Sequence, residues 1–157
     1  PPRSTLFPYT TLFRSNFRGF GDFAKSLDKF QEDFENKLLE AFRLAVIEVG
    51  EELIRLSPRD TGTFVNNWMT ANSKYPSKKR RDNPDPSATE AIEQLHAVAN
   101  AITIESMRRG VRITNNTPYA RVLEWGSSDQ APVGMVRVTE MQWERIFEEA
   151  ARRAGLK

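Results

Sequence analysis

Three things are scarce or missing in this sequence of 157 residues: it has no cysteine, a single histidine and no long apolar run. Without cysteine the chain can form no disulfide, no thiol nucleophile and no cysteine-ligated zinc site. No apolar run approaches the roughly 20 residues that a membrane-spanning helix needs. We therefore expect no contact with a membrane.

The scarcity of catalytic residue types argues against an enzyme. His96 lies beside apolar positions of a predicted helix, where a lone histidine is usually a boundary residue. The glycines form neither a phosphate-binding loop nor a dinucleotide fingerprint, and no acidic cluster has metal-ligand spacing. Asp60 beside Thr61, and Glu124 near Tyr119, are better explained as a turn aspartate and a helix carboxylate. No catalytic, cofactor-binding or metal-binding residue is predicted.

The N-terminal stretch STLFPYTTLFRS, Ser4 to Ser15, follows neither the helical nor the strand period. It contains no acidic residue and repeats Thr-Leu-Phe within a few positions. Thr5 to Ser15 resembles the in-frame translation of a common sequencing-library adapter. We therefore interpret residues 1–15 as a non-native scar and residues 16–157 as a single domain.

Net charge provides no attraction to nucleic acid once residues 1–15 are set aside. The whole chain has 23 basic and 21 acidic residues, and Arg3 and Arg14 are the charged residues of the N-terminal stretch. The chain from Asn16 to Lys157 therefore holds 21 residues of each sign. Binding to DNA or to an anionic surface would need a local patch.

An apolar stripe predicts a long N-terminal helix that begins near Phe23. Its members recur every three or four positions, which is the helical period: Phe23, Leu27, Phe30, Phe34, Leu38, Phe42, Val46, Val49, Leu53 and Leu56. Ser57-Pro58 ends the helix, because proline disfavours helix in the preceding residue. At about 34 residues and 1.5 Å each, it would be about 50 Å long, more than so small a domain can cover. We expect its N-terminal part to contact another subunit, or the helix to bend near Gly50.

A turn, a strand and a loop are predicted after this helix. Asp60, Thr61 and Gly62 form the turn, because aspartate bonds to nearby backbone and glycine tolerates positive φ. Thr63 to Ala71 alternates as a strand, with one side formed by Phe64, Asn66, Trp68 and Thr70. Residues 73–87 hold three prolines and a run of four bases, which predicts a mobile surface loop.

The next segments predict a second helix and a second strand. Ser87, with Glu90 three residues on, has the pattern of a capping box that opens a helix. That helix ends somewhere between Thr103 and Met107, and its buried stripe is Ala91, Ile92, Leu95, Val98, Ala99 and Ile102. Arg109-Gly110 predicts a turn, and Val111 to Thr114 a short strand.

The C-terminal third predicts two more helices. Pro118 begins a short helix that Gly126 ends. A last helix begins between Gly134 and Thr139, with an additional strand near 136–139 as the alternative, and it buries Val136, Trp143, Ile146, Phe147 and Ala150. The order of elements predicts an α+β fold with a long N-terminal helix, a small antiparallel β-sheet and further helices, including a C-terminal one.

Two features carry functional hypotheses. The basic run Lys78, Lys79, Arg80 and Arg81 could neutralise DNA phosphates, but the prolines and aspartates after it and the lack of interleaved aromatics favour a solvated loop. The aromatic residues are more numerous than one small core obviously needs, although each singly is best explained as core. Their total favours an oligomer: Phe20, Phe23, Phe30, Phe34, Phe42, Trp68, Trp125 and Trp143.

Two stretches together resemble the tail-completion (neck, or head-to-tail joining) proteins of long-tailed bacteriophages and prophages: SPRDTGTFVNNW, Ser57 to Trp68, and ITNNTPYARVLEWGSSDQAPVGMVRVTEMQWERI, Ile113 to Ile146. In that family a Pro-x-Asp-Thr-Gly turn follows a first helix and leads to an Asn-Trp strand. Asn-Asn-x-Pro-Tyr-Ala, a Leu-Glu-aromatic-Gly step and Gln-Ala-Pro-x-Gly-Met-Val-Arg come later. The resemblance covers nearly all of residues 16–157 in the same order, with Trp125 where tyrosine is more usual.

The resemblance implies a structural virion protein, assembled in the host cytoplasm, that completes the phage tail and joins it to the capsid. It would form a ring with copies of itself around the DNA channel and contact connector and tail-tube proteins, and packaged DNA. The motif residues carry over as architecture: Asp60, Thr61 and Gly62 as the turn; Asn66 and Trp68 on the strand; Asn115, Asn116, Pro118, Tyr119, Glu124 and Gly126 as a buried corner; Ala131, Pro132, Gly134 and Met135 as the loop before the last helix. The alternative is a small DNA-binding accessory protein that acts through residues 78–81.

Overall fold

The computed structural model describes residues 9–72 and 80–156, with side chains from Gly19 onward. The predicted α+β architecture is confirmed. In chain order the elements are α1 (Tyr9–Arg55), a short 3-10 helix (Val65–Asn67), β1 (Trp68–Ala71), α2 (Thr89–Asn100), α3 (Ile104–Arg109), β2 (Arg112–Asn115), α4 (Ala120–Glu124), α5 (Val136–Met141) and α6 (Trp143–Arg153).

The chain divides into two units, one that extends through Asn36 and one from Lys37 to Lys157. The described part of the first unit is α-helical throughout. The second unit contains the C-terminal part of α1 and every shorter element. The single domain over residues 16–157 stays a prediction.

Helix α1 begins at Tyr9 instead of Phe23, so it includes residues for which the sequence predicts no helical period. Its end at Arg55 agrees with the stop that Ser57-Pro58 predicts. The helix continues through Gly50, where an added Cβ would lie 2.5 Å from the Leu95 methyl carbons. Glycine at this position therefore lets α2 approach the backbone of α1 closely.

The two strands form an antiparallel pair in which Trp68 lies opposite Asn115 and Ala71 opposite Arg112. Strand β1 is shorter than predicted, because residues 65–67 form a 3-10 helix and Asn66 therefore lies outside the strand. The Asn66 N–H donates to the Gly62 carbonyl at 3.1 Å, and the Asn67 N–H to that of Phe64 at 3.0 Å. These local bonds occupy the amides that a strand ladder would need.

Helix α2 begins at Thr89, and Ser87 does not form the predicted capping box. The Asp85 carboxylate instead accepts hydrogen bonds from the N–H groups of Ser87 and Thr89, both at 2.8 Å. Glu90 is directed to Asn83, whose amide donates to it at 2.9 Å. Asp85 can cap the helix because the chain turns at Ala88, which has a φ of 58°. The turn places the first free N–H groups beside the Asp85 carboxylate.

The segment after α2 contains a helix that the sequence does not separate from α2. Thr103 is extended and caps α3, since its hydroxyl accepts from the Ser106 N–H at 3.2 Å while Ser106 accepts from the Thr103 N–H at 2.8 Å. This reciprocal pair is a capping box with serine in the third helical position. Gly110 follows with a φ of 80°, as the predicted turn requires, and leads into β2.

The core of the second unit comprises three groups of apolar side chains arranged on α1. The largest joins the end of α1 to the first motif and to Met135: Leu53, Ile54, Phe64, Val65, Trp68, Ala88, Ala91, Ala131 and Met135. The second places Val46 against Leu95, Ala99 and Ile102, which confirms the centre of the predicted α2 stripe. In the third, Ala45 packs against Ile146 and Ala150 of α6.

The predicted last helix is two helices, α5 and α6, and the alternative strand near residues 136–139 is wrong. Only part of its predicted apolar face is buried. Ile146 and Ala150 pack on the small side chain of Ala45, whereas Val136, Trp143 and Phe147 are exposed. Trp143 and Phe147 stack on each other, with ring centroids 6.3 Å apart, on the part of α6 that α1 does not cover.

Candidate assembly surfaces

The Asp60-Thr61-Gly62 turn fastens the end of α1 to the loop before α5. Gly62 has a φ of 76°, and its N–H donates to the Arg59 carbonyl at 3.1 Å. The predicted local bond of Asp60 is replaced by a long-range one, since its carboxylate accepts from the Gln130 side-chain amide at 2.6 Å. Gln130 in turn accepts from the Arg59 N–H at 2.9 Å. The two sequence motifs therefore meet directly.

Glu124 is the polar centre of the second motif. Its carboxylate accepts from the N–H groups of Met135 at 2.9 Å, Val136 at 3.0 Å and Arg137 at 3.1 Å, which are the free amides at the start of α5. Burial by itself raises the pKa of Glu124, but the three backbone donors and the charge of Arg137 outweigh it and hold the pKa below 4.5. The side chain therefore acts as an ionised helix cap.

The rest of the predicted corner is only partly buried. Asn115 donates to the Phe64 carbonyl at 2.9 Å and accepts from the Thr117 hydroxyl at 2.9 Å, so it fixes the chain after β2. Pro118 and Tyr119 are exposed, which contradicts their predicted burial. The Tyr119 ring lies beside that of Phe64, with centroids 6.1 Å apart, but helix α4 has no buried residue.

The other motif residues hold the loop before α5 close to α4. Ala131, Gly134 and Met135 are buried, and Pro132 is exposed. Gly134 approaches α4 so closely that an added Cβ would lie 2.4 Å from the Glu124 carbonyl oxygen. Gly126, which ends α4 as predicted, has a φ of 87°. The Asn116 amide lies 3.3 Å from the Met69 sulfur.

Two buried asparagines and Arg81 join the first motif to the segment before α2. Asn67 accepts from the Arg81 N–H at 2.7 Å, and Asn66 accepts from the Ala91 N–H at 3.2 Å. The Arg81 guanidinium donates to the carbonyls of Asn66 at 2.6 Å and Trp68 at 3.0 Å. Its Nε lies 3.2 Å from the Glu90 carboxylate. The sequence predicts residues 73–87 to be a mobile loop. In its described part, hydrogen bonds and an ion pair hold the chain in place, with Arg81 at their centre.

The basic run is not one continuous exposed patch. Lys78 and Lys79 lie outside the described residues, as does Tyr75. Arg80 pairs with Asp82 at 3.1 Å, with both side chains exposed. Arg81 faces inward, with its side chain 13% exposed. Burial lowers the pKa of the Arg81 guanidinium, and the charge of Glu90 offsets part of this effect. Its donors already serve the fold, so little of Arg81 is left for a phosphate.

The described residues contain no group of three or more His, Asp or Glu side chains that could hold a metal ion. His96 lies 2.9 Å from the Glu51 carboxylate on an exposed surface between α2 and α1. The arrangement is a surface pair, with both side chains exposed. Such exposed pairs contribute little to stability.

The first unit carries an apolar surface that its own residues leave uncovered. The α1 stripe, as we call it, consists of five side chains that are 48–70% exposed: Phe20, Phe23, Leu27, Phe30 and Phe34. Phe30 and Phe34 stack, with ring centroids 6.4 Å apart. Scattered apolar residues on a surface are ordinary, but five in one row of a helix are typical of a protein interface.

The second unit has an apolar groove of about 390 Å³ between α1, β2 and the α5–α6 pair. Its walls include Phe42 and Val49 of α1, Val111 before β2, and Val136, Trp143 and Phe147. An adjoining depression of about 350 Å³ shares Val49, Val136 and Trp143 with it and extends it along α5. The sequence predicts burial for several of these residues, and only the placement of α6 shows that they line an open groove.

Within the part of the chain that the structure describes, no helix is both long and apolar enough to cross a membrane. No protein-family model, curated protein or solved structure matches the chain. The geometry of its surfaces must therefore support any functional conclusion.

Proposed function

We propose that this chain is a structural virion protein that completes a phage tail and joins it to the capsid. The observation that carries the proposal is the α1 stripe, five large apolar side chains that the described chain leaves exposed on one helix. Burial of apolar surface against another protein is the main favourable term in association. A protein whose role is assembly needs such a surface, which a solitary protein would not.

The packing of the motif residues supports an architectural role for them. Asp60 and Gln130 join the turn to the loop before α5, and Glu124 caps α5. Gly62 and Gly134 lie where a side chain would collide with the neighbouring backbone. These four motif residues therefore position elements of the fold.

A ring around a DNA channel is the assembly that fits this role. Identical subunits in a ring contact one another through two different patches, and the rotation between them closes the ring. The α1 stripe is one such patch. Connector and tail-tube proteins would cover further surface above and below the ring.

The proposal is tested by resequencing the source DNA through both flanks of the gene with long reads. We expect neighbouring genes for a portal or capsid protein on one side and for a tail-tube protein on the other. We also expect the codons for Thr5 to Ser15 to be absent from the native DNA, since they resemble an adapter.

Metabolic or regulatory neighbours would contradict the proposal. The DNA-binding alternative would then be examined by titrating the full chain with duplex DNA at two salt concentrations. A salt-dependent affinity that requires Lys78, Lys79 and Arg80 would support that alternative.

A further inference from the structure

We infer that the apolar groove binds a small molecule that has a flat apolar body and one positively charged end. The groove lies between α1, β2 and the α5–α6 pair, and the adjoining depression extends it along α5. This inference goes beyond the proposed tail function and does not depend on it. Three properties of the site carry it: its lining, its volume and the one charge among its lining residues.

The lining of the groove suits an apolar ligand. All twelve residues that line it are glycine or apolar residues. The indole N–H of Trp68, one of the twelve, already donates to the Ser57 hydroxyl at 2.7 Å. The stacked rings of Trp143 and Phe147 form a flat aromatic wall. Water on such a surface is released when an apolar molecule takes its place, which favours binding.

The volume of the groove is sufficient for a molecule with two fused rings. It measures about 390 Å³. An apolar cavity of about 150 Å³ holds one benzene ring. Natural ligand sites begin at about 300 Å³. We therefore expect a naphthalene ring to fit against the wall that Trp143 and Phe147 form.

Glu140 indicates the charge of the ligand. Among the described residues that line the groove or the depression, it alone is charged. The two spaces share Val136 and Trp143, so a ligand seated on Trp143 can extend towards Glu140. The Thr139 hydroxyl, also in the depression, already donates to the Met135 carbonyl at 2.9 Å. A carboxylate at this end attracts an ammonium group and repels an anion.

Three probes that share one naphthalene ring and differ in charge test the inference: naphthylmethylammonium, naphthylmethanol and naphthoate. Each is titrated into the full chain at pH 7, and the indole N–H signals are followed by NMR. We expect the Trp143 signal to shift and saturate, while that of Trp125, which lies outside both spaces, stays in place. Trp125 is therefore an internal control.

The order of the three affinities tests the charge. The ammonium should bind about two- to fivefold more tightly than the alcohol, because Glu140 is exposed and exposed ion pairs are weak. The carboxylate should bind more weakly than the alcohol. In Glu140→Gln the ammonium should lose its advantage, and the affinity of the alcohol should stay the same.

Two variants test the location of the site. Val136→Trp fills the groove with its own ring, and Phe147→Ala removes part of the aromatic wall, so each should weaken binding of the alcohol about fivefold or more. Val122→Trp is the matched control for Val136→Trp, because Val122 is also an exposed helical valine but lies outside the groove. Circular dichroism and thermal melting confirm that each variant is folded.

The inference would be overturned if none of the three probes shifted the Trp143 signal up to its solubility limit. It would also be overturned if Glu140→Gln left the advantage of the ammonium unchanged, because the charged end would then lie elsewhere. The mass of the chain in solution is a third check. If the chain associates with itself and Val136→Trp prevents this while Val122→Trp does not, a second copy fills the groove and the inference is wrong.

Discussion

At the scale of single residues, Glu124 shows how one carboxylate can determine the start of a helix. Three consecutive backbone N–H groups converge on it from a segment 11–13 residues further along the chain. Helix α5 has only six residues, so its unsatisfied first-turn amides are a large share of its backbone donors. The cap therefore satisfies the amides that this short helix leaves free at its start.

Replacing Glu124 by Gln should lower the free energy of unfolding at neutral pH by about 1 to 2 kcal/mol, because the ionised acceptor is lost. The lowered pKa in the folded state means that this stabilisation is complete above the ordinary value of 4.5 and disappears as pH falls through the folded value. Urea unfolding between pH 7 and pH 3 should show a shallower acid slope for the variant. Glu140→Gln, an exposed carboxylate on the same helix, is the control.

Gly62 and Gly110 both have positive φ but differ in their surroundings. An added Cβ at Gly62 would lie 2.2 Å from the Pro86 nitrogen, whereas nothing lies within 4 Å at Gly110. Gly62→Ala should therefore cost about 3 kcal/mol or more, and Gly110→Ala only about 1 kcal/mol of backbone strain. Chemical denaturation measures the free energy of unfolding of both variants. If both lost the same amount, backbone strain alone, and not the close approach of Pro86, would explain the cost of Gly62→Ala.

At the scale of elements, helix ends are where the sequence and the structure differ most. Ser87 and Glu90 have the spacing of a capping box, but Asp85 accepts the bonds. The backbone N–H of Thr89 is the first cause of the lowered pKa of Asp85, followed by the Thr89 side chain and the Ser87 N–H. Spacing alone cannot reveal that the chain turns at Ala88.

Asp85→Ala should lower the melting temperature of the protein by a few degrees, because two amides at the start of α2 lose their acceptor. Ser87→Ala should leave it nearly unchanged. The pair is measured by thermal melting at pH 7. If Ser87→Ala lowered the melting temperature more than Asp85→Ala, the result would support the capping box that the sequence predicts and contradict the cap by Asp85.

At the scale of the whole molecule, we expect Arg81 to have a different role from the other three bases of the run. The Lys78→Gln, Lys79→Gln, Arg80→Gln triple variant should keep its melting temperature. Arg81→Gln should cost about 2 kcal/mol or more, because buried carbonyls of Asn66 and Trp68 lose a charged donor. Thermal melting of the two variants tests this division.

The same triple variant tests the role of the run in the assembly. Under the proposed tail function, the isolated full chain should bind DNA weakly, and the triple variant should reduce genome retention in assembled particles without preventing folding. An unchanged phage titre would leave these bases as a solvated surface.

The sequence by itself determined the types of element and most of their order. The long helix, its stop before Pro58, the turn at Gly62, the turn at Gly110 and the buried residues Leu95 and Ala99 follow from local rules of period, proline and glycine. These rules depend on neighbours within a few positions, which a sequence displays directly.

Only the tertiary structure decided which apolar residues are covered and which polar residues are shared between distant segments. Phe34 and Val46 belong to one periodic stripe of α1, yet Phe34 is exposed and Val46 is buried beside Leu95. In the sequence Arg81 is part of a basic run, but in the structure its guanidinium faces inward and donates to the carbonyls of Asn66 and Trp68. Burial and hydrogen bonding across long separations depend on how the elements pack, and the packing leaves an apolar helix and an apolar groove exposed on the same chain.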